Sequence, residues 1–230
     1  MKTLKNTLKI TAMLLMLLSF AACKKDKTNN AAKEIKATDL VGYYLAIERA
    51  DNSVRLVYFI NESGSIKAYY DGPDTRRIGN VTMNANKFLF DLNGDGASVL
   101  EFAFSSDASG NISLNSLRFS GTSTVEILNA EMFKTDEALN WGGKTFIREV
   151  GIADYFKYYR FSESKILFAN STVPTTEPHL GCYILGANVG FKDNNGNLLG
   201  IFVPSWKGNK NIKMLLKHKN ITGIAQYQNN

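Results

Sequence analysis

From residue 54 onward, short apolar runs alternate with polar, turn-forming clusters at intervals of roughly ten residues, the spacing expected of strands in an all-β protein. The run 54–60, Val-Arg-Leu-Val-Tyr-Phe-Ile, favours extended backbone and is apolar on both faces, which predicts a strand buried on both sides. Asn61-Glu62-Ser63-Gly64 turns the chain and 65–70 returns it; Asp71-Gly72-Pro73-Asp74 turns it again. The runs 87–90 and 98–104 flank Asn93-Gly94 and Asp95-Gly96, a hairpin signal. Strand-like text continues through 112–117 and 125–128. It resumes at 144–150, 155–161, 165–170, 182–185, 189–192, 198–203, 212–216 and 221–227, with 193–197 as a second Asn/Gly hairpin turn. In between, Asn129 reads as an N-cap, and Met132, Phe133, Ala138 and Leu139 form a helical stripe. One short helix is predicted over 129–140. Parallel pairing would need crossover helices for which there is no room, so the fold expected is all-β, an antiparallel barrel or sandwich. Each side of 129–140 carries a Tyr-Tyr strand and a later Phe-rich hairpin, an echo too weak to count as a repeat, which leaves open one β-domain over 37–230 or two halves, 37–128 and 141–228.

The first 36 residues follow other rules. Lys2, Lys5 and Lys9 precede an apolar run over 10–20, too short to span a bilayer as a helix, which takes about 20 residues. That length fits the apolar segment of a secretory signal peptide. Ser19-Phe20-Ala21-Ala22-Cys23 then resembles the bacterial lipobox. The resemblance implies cleavage after residue 22 and acylation of Cys23, with 1–22 as signal peptide. Phe20 stands where Leu is usual in that family. Residues 23–36, opening Cys-Lys-Lys-Asp-Lys-Thr-Asn-Asn, read as a flexible polar tether. Lys24 after the acylated cysteine differs from an inner-membrane retention signal. The tether resembles those of Bacteroidota lipoproteins, many of which face outward. The address expected is therefore the outer membrane, with acyl chains on Cys23 as the membrane contact, on its periplasmic or its surface face.

Composition narrows the functional classes. The net charge is +6, and three of the lysines responsible lie in the signal segment, so nucleic acid is not an expected partner. There are two cysteines. With Cys23 acylated, Cys182 is left alone among apolar neighbours, a small buried hydrophobe rather than a nucleophile. His179 and His218 stand apart in the chain with no carboxylate or cysteine at ligand spacing, so neither a zinc site nor a histidine triad is supported.

Three stretches carry candidate chemistry. Asp91-Leu92-Asn93-Gly94-Asp95-Gly96 matches the opening of a calcium loop, with oxygen ligands at Asp91, Asn93 and Asp95. The twelfth position is Phe102 instead of a bidentate Glu, and an acceptor-rich hairpin tip explains the same residues. Trp206, in turn-like text, with Lys207 and Lys210 beside it, is a candidate contact for a glycan or an anionic surface. Asp39-Leu40-Val41-Gly42-Tyr43-Tyr44-Leu45 resembles the opening strand of lipocalin-like lipoprotein domains, which implies a cup for an apolar ligand. The expected function is a non-enzymatic, lipid-anchored envelope protein that binds a glycan, an apolar ligand or an envelope protein. No cofactor is expected beyond that calcium. The alternative is a hydrolase acting on glycan or lipid through two facing carboxylates that no motif marks.

Overall fold

The computed structural model describes residues 34–51, 53–72, 76–120, 125–138, 143–150, 156–162, 165–170, 179–181, 183–184, 189–192, 198–208, 213–216 and 225–229. The signal segment, Cys23 and the tether up to residue 33 lie outside them, as do Cys182 and Lys210.

The chain is all-β and antiparallel, as its alternation predicts. A 3-10 turn, Ala37–Leu40, leads into β1 (Tyr43–Arg49), β2 (Val54–Glu62), β3 (Ser65–Asp71), β4 (Arg76–Asn80), β5 (Thr82–Asn84), β6 (Lys87–Asp91), β7 (Val99–Ser106), β8 (Ile112–Ser120) and β9 (Ile127–Lys134). A second 3-10 turn, Thr135–Ala138, follows. The chain then continues through β10 (Thr145–Val150), β11 (Tyr158–Ser162), β12 (Lys165–Ala169), β13 (His179–Gly181), β14 (Tyr183–Ile184), β15 (Gly190–Lys192), β16 (Leu198–Val203), β17 (Lys213–Leu216) and β18 (Ala225–Asn229).

The expected helix over 129–140 is therefore mostly strand. Residues 129–134 lie in β9, and only 135–138 coil, into a single 3-10 turn. The reason is pairing: β9 runs along β1 from Tyr43↔Lys134 to Arg49↔Ile127, so tertiary contacts override a weak helical stripe.

The two halves share one topology. In the first, sheet order is β4-β3-β2-β1-β9 and β5-β6-β7-β8; in the second it is β13-β12-β11-β10-β18-β17-β16-β15-β14. Each half is an up-and-down meander whose first strand pairs with its last, β1 with β9 and β10 with β18. In each, the fourth strand changes partner at one residue. Val81 separates β4 on β3 from β5 on β6, and residue 182 separates β13 on β12 from β14 on β15. Among the described residues neither half forms a closed barrel around a lumen; opposite walls pack face to face, as in a sandwich.

Side-chain alternation explains the layering. Leu45, Ile47, Val57, Phe59, Ala68 and Tyr70 point from the five-stranded sheet toward Phe88, Phe90, Leu100, Phe102 and Phe104 of the four-stranded sheet, and together they form the first core. Gly79 on β4 matters there, because a Cβ on it would come 2.3 Å from the Phe90 ring. The intervening residues of the same strands, Tyr44, Ala46, Leu56, Tyr58 and Tyr69, face the other way, onto Leu198, Ile201, Val203, Trp206 and Leu215 of the second half. This is the two-faced burial that the run 54–60 predicts. The Tyr44 hydroxyl donates to the Phe202 carbonyl at 2.7 Å across that joint.

The second half is filled by phenylalanine. Phe161 on β11 and Phe191 on β15 lie five strand steps apart in the sheet, about 24 Å if it were flat. Their ring centroids are 5.2 Å apart. The sheet is therefore rolled on itself, with Phe146 and Phe202 completing the cluster at 4.9–5.6 Å. All four rings are fully buried. Among the described residues the cup implied by the resemblance at 39–45 is not formed: 39–40 lie in a 3-10 turn, 43–45 in a central strand, and aromatic side chains occupy the interior.

Candidate functional site: an open seam in the first half

The halves differ at one place. In the second, the last two strands pair directly, from Lys213↔Gln228 to Leu216↔Ala225. In the first, the equivalent strands β8 and β9 share no ladder; β8 pairs with β7 and β9 with β1. Among the described residues, each therefore has a ladder on one edge only.

The sequence sets the walls of this seam. On β8, Ile112 and Leu114 alternate with polar residues; the phase then shifts, and Leu117 and Phe119 continue it. The shift matches a bulge in the β7 pairing between Ala103 and Phe104. On β9, Ile127, Ala130 and Met132 supply the facing apolar positions. Ile112 belongs to the first core, and the other six are packed against it. Between the walls the groove has two segments. One, of ≈ 310 Å³, is lined by Leu117, Arg118, Phe119, Val125, Glu126 and Ile127. The other, of ≈ 420 Å³, lies between Ser113 and Leu114 on one side and 130–133 on the other, with Ser205 at its rim. The seam is pinned at one end, where the Ile112 N–H donates to the Tyr43 hydroxyl at 3.2 Å and Lys134 Nζ to Asn111 Oδ1 at 2.7 Å.

Charges along the rim are mostly engaged. Arg118 bonds Glu101 at 2.8 Å, which holds the Glu101 carboxyl below its ordinary value, and the Arg49 guanidinium stands 5.4 Å over the Phe119 ring. Glu131 accepts the Lys207 backbone N–H at 2.6 Å. What remains on offer is backbone hydrogen bonding over an apolar floor. That arrangement suits binding.

The residues singled out from sequence lie elsewhere. Asp91 ends β6, half-buried, and Asn93 and Asp95 sit exposed in the β6–β7 loop that follows. The Asp91 carboxylate accepts backbone N–H groups from Asn93, Gly94 and Gly96 at 2.8–3.2 Å, the Gly96 bond being the main cause of its lowered pKa. Asp95 accepts from Ala97 N–H. These oxygens are occupied in shaping a turn. Among the described residues, no three His, Cys, Asp or Glu side chains come together as a metal site. Trp206 is not the exposed ring that its turn-like text suggests: it is 2% accessible, buried between the two halves. Lys207 has a positive φ and pairs with Glu48 at 2.7 Å, which fastens the second half to β1. Lys210 and Cys23 lie outside the described residues.

A buried polar cluster forms another part of that joint. Asp71 Oδ1 is 3.3 Å from Lys192 Nζ and 3.3 Å from Arg76 Nε, and Arg76 donates to the Tyr58 hydroxyl at 2.7 Å. Burial, reinforced by Asp71, pushes the Tyr58 hydroxyl well above the ordinary tyrosine range. Neither this cluster nor the seam is marked by a sequence motif. The seam escapes sequence reading because the strand forming one wall reads as a helix.

Comparison of the chain with protein-family models, curated proteins and solved structures gives no match.

Proposed function

We propose that this chain is a lipid-anchored protein of the bacterial outer membrane that acts by binding a macromolecular partner and not by catalysis. The observation that carries the binding mode is the filled interior. The Phe146–Phe161–Phe191–Phe202 cluster and the Phe88–Phe102–Phe104 stack take up the space that a small apolar ligand would need. Recognition is left to the surface, where β8 and β9 share no ladder. The lipobox-like sequence ending in Cys23 supports the anchor. Two or three acyl chains would hold it stably, since each buried methylene is worth about 0.8 kcal/mol.

Growth with a clickable fatty acid, followed by fractionation, tests this reading. Wild type is expected to be labelled and to sediment with the outer membrane, and Cys23→Ser to lose both properties. An unlabelled, soluble wild type would remove the anchor from the account.

A further inference from the structure

We propose that Asn93 is a modification site, where the chain deamidates spontaneously, and that the Asp91 carboxylate sets the rate by holding the nitrogen that attacks. The proposal stands apart from the anchor and the seam.

The chain contains two Asn-Gly steps, Asn93-Gly94 and Asn195-Gly196. In such a step the glycine nitrogen, once it has lost its proton, can close on the asparagine Cγ, because the glycine has no side chain to obstruct the approach. The new N–Cγ bond completes a succinimide ring. The Cγ–Nδ2 bond breaks, and the side-chain nitrogen leaves as ammonia with the proton that the glycine gave up. Water then opens the ring at either carbonyl and leaves aspartate or isoaspartate. The net change is water in and ammonia out, with no other reactant.

Asn93 and Gly94 are exposed in the β6–β7 loop, in reach of water. The Gly94 nitrogen is restrained there: its N–H donates to Asp91 Oδ1 at 2.9 Å. The Gly96 N–H donates to Asp91 Oδ2 at 2.8 Å. That second nitrogen is the one that would attack Asp95 by the same ring closure, so a single carboxylate holds both. Asp91 is firmly placed, opposite Val99 in the β6–β7 ladder, and the Leu92 N–H bonded to the Ser98 carbonyl at 2.9 Å closes the base of the loop. An N–H bonded to a negative charge gives up its proton less readily, since the amide anion would face the carboxylate. The bonds also fix the turn, whereas ring closure needs the backbone to rotate until nitrogen and Cγ meet. The residues that resemble the opening of a calcium loop thus hold their own reactive step in check. Reaction at Asn93 adds a negative charge between Asp91 and Asp95, and isoaspartate lengthens the turn by one backbone atom.

Full-length wild type and Asp91→Ala, in detergent micelles, are aged at mildly alkaline pH, and peptide mapping by mass spectrometry reads Asn93 and Asn195 separately. Asp91→Ala is expected to deamidate faster at Asn93, by roughly fivefold or more, with the rate at Asn195 unchanged. Hydrogen exchange at Gly94 follows the same proton and is expected to be slowed in wild type and fast in the variant. Wild type unfolded in urea gives the unrestrained rate, and Asn93 in the folded chain should be slower than that by a similar factor. Acceleration of both sites alike would mean that the variant has lost its fold; the urea comparison and Gly94 exchange in wild type then decide. Three results would overturn the proposal: an unchanged or slower Asn93 rate in a folded variant, equal rates in folded and urea-unfolded wild type, or unprotected Gly94 in wild type.

Discussion

Single side chains set both the rigidity of the second half and the acid limit of the first. Phe202 touches Phe146, Phe161 and Phe191 and is fully buried. Phe202→Ala should destabilise by about 3–5 kcal/mol in urea unfolding, through lost burial and the cavity left behind. Leu89→Ala, at a side chain 50% exposed, should change stability by about 0.5 kcal/mol or less. Acid sensitivity follows from carboxyls held low in the first half, Asp107, Asp91 and Glu101 among them. Asp107 is held low first by Asn111, Asp91 by the Gly96 N–H and Glu101 by Arg118, from ordinary values of 3.8, 3.8 and 4.5. A depressed folded pKa means that the unfolded chain takes up protons first as pH falls. The stability these groups contribute is present above their ordinary values and lost as pH drops through the lowered ones. Thermal unfolding midpoints should therefore decline as pH falls below about 4, modestly for each group because all three are solvent-screened. Asp107→Asn should have a shallower acid slope, measured by circular dichroism.

At the level of elements, most strands were legible because their cause is local. The run 54–60 reads as doubly buried and is so. The Asn/Gly hairpins at 93–96 and 193–197 lie between equivalent strands, β6–β7 and β15–β16, so that part of the echo between halves reflects a shared topology. The Tyr-Tyr part does not: Tyr43 and Tyr44 lie in β1, the first strand of its half, and Tyr158 and Tyr159 in β11, the second strand of its half. The error at 129–134 has a physical source. Spacing of apolar residues is a weak signal over six positions, and the decisive fact, a free edge on β1 waiting for a partner, is non-local. Trp206 was misplaced for a similar reason. Its turn is real, with Lys207 and Gly208 at positive φ, but a turn packed against another layer is not exposed.

The whole molecule is two copies of one meander, rolled tight in the second half and split into two facing sheets in the first. Burial of the two-faced central sheet joins them, with Asp71–Lys192 and Glu48–Lys207 as polar fastenings. No spacing rule exposes this arrangement from sequence, because the seam is defined by two strands that fail to pair. The central claim is that the first half is open where the second is closed. Amide hydrogen exchange on the full chain, resolved by residue, tests it most directly. In a strand paired on one side only, every second N–H points away from its partner. The account predicts fast exchange at alternate residues of β8 and β9 and slow exchange throughout β17 and central β2. Uniform protection along β8 and β9 would mean that the seam is closed in solution, and the binding surface proposed here would not exist.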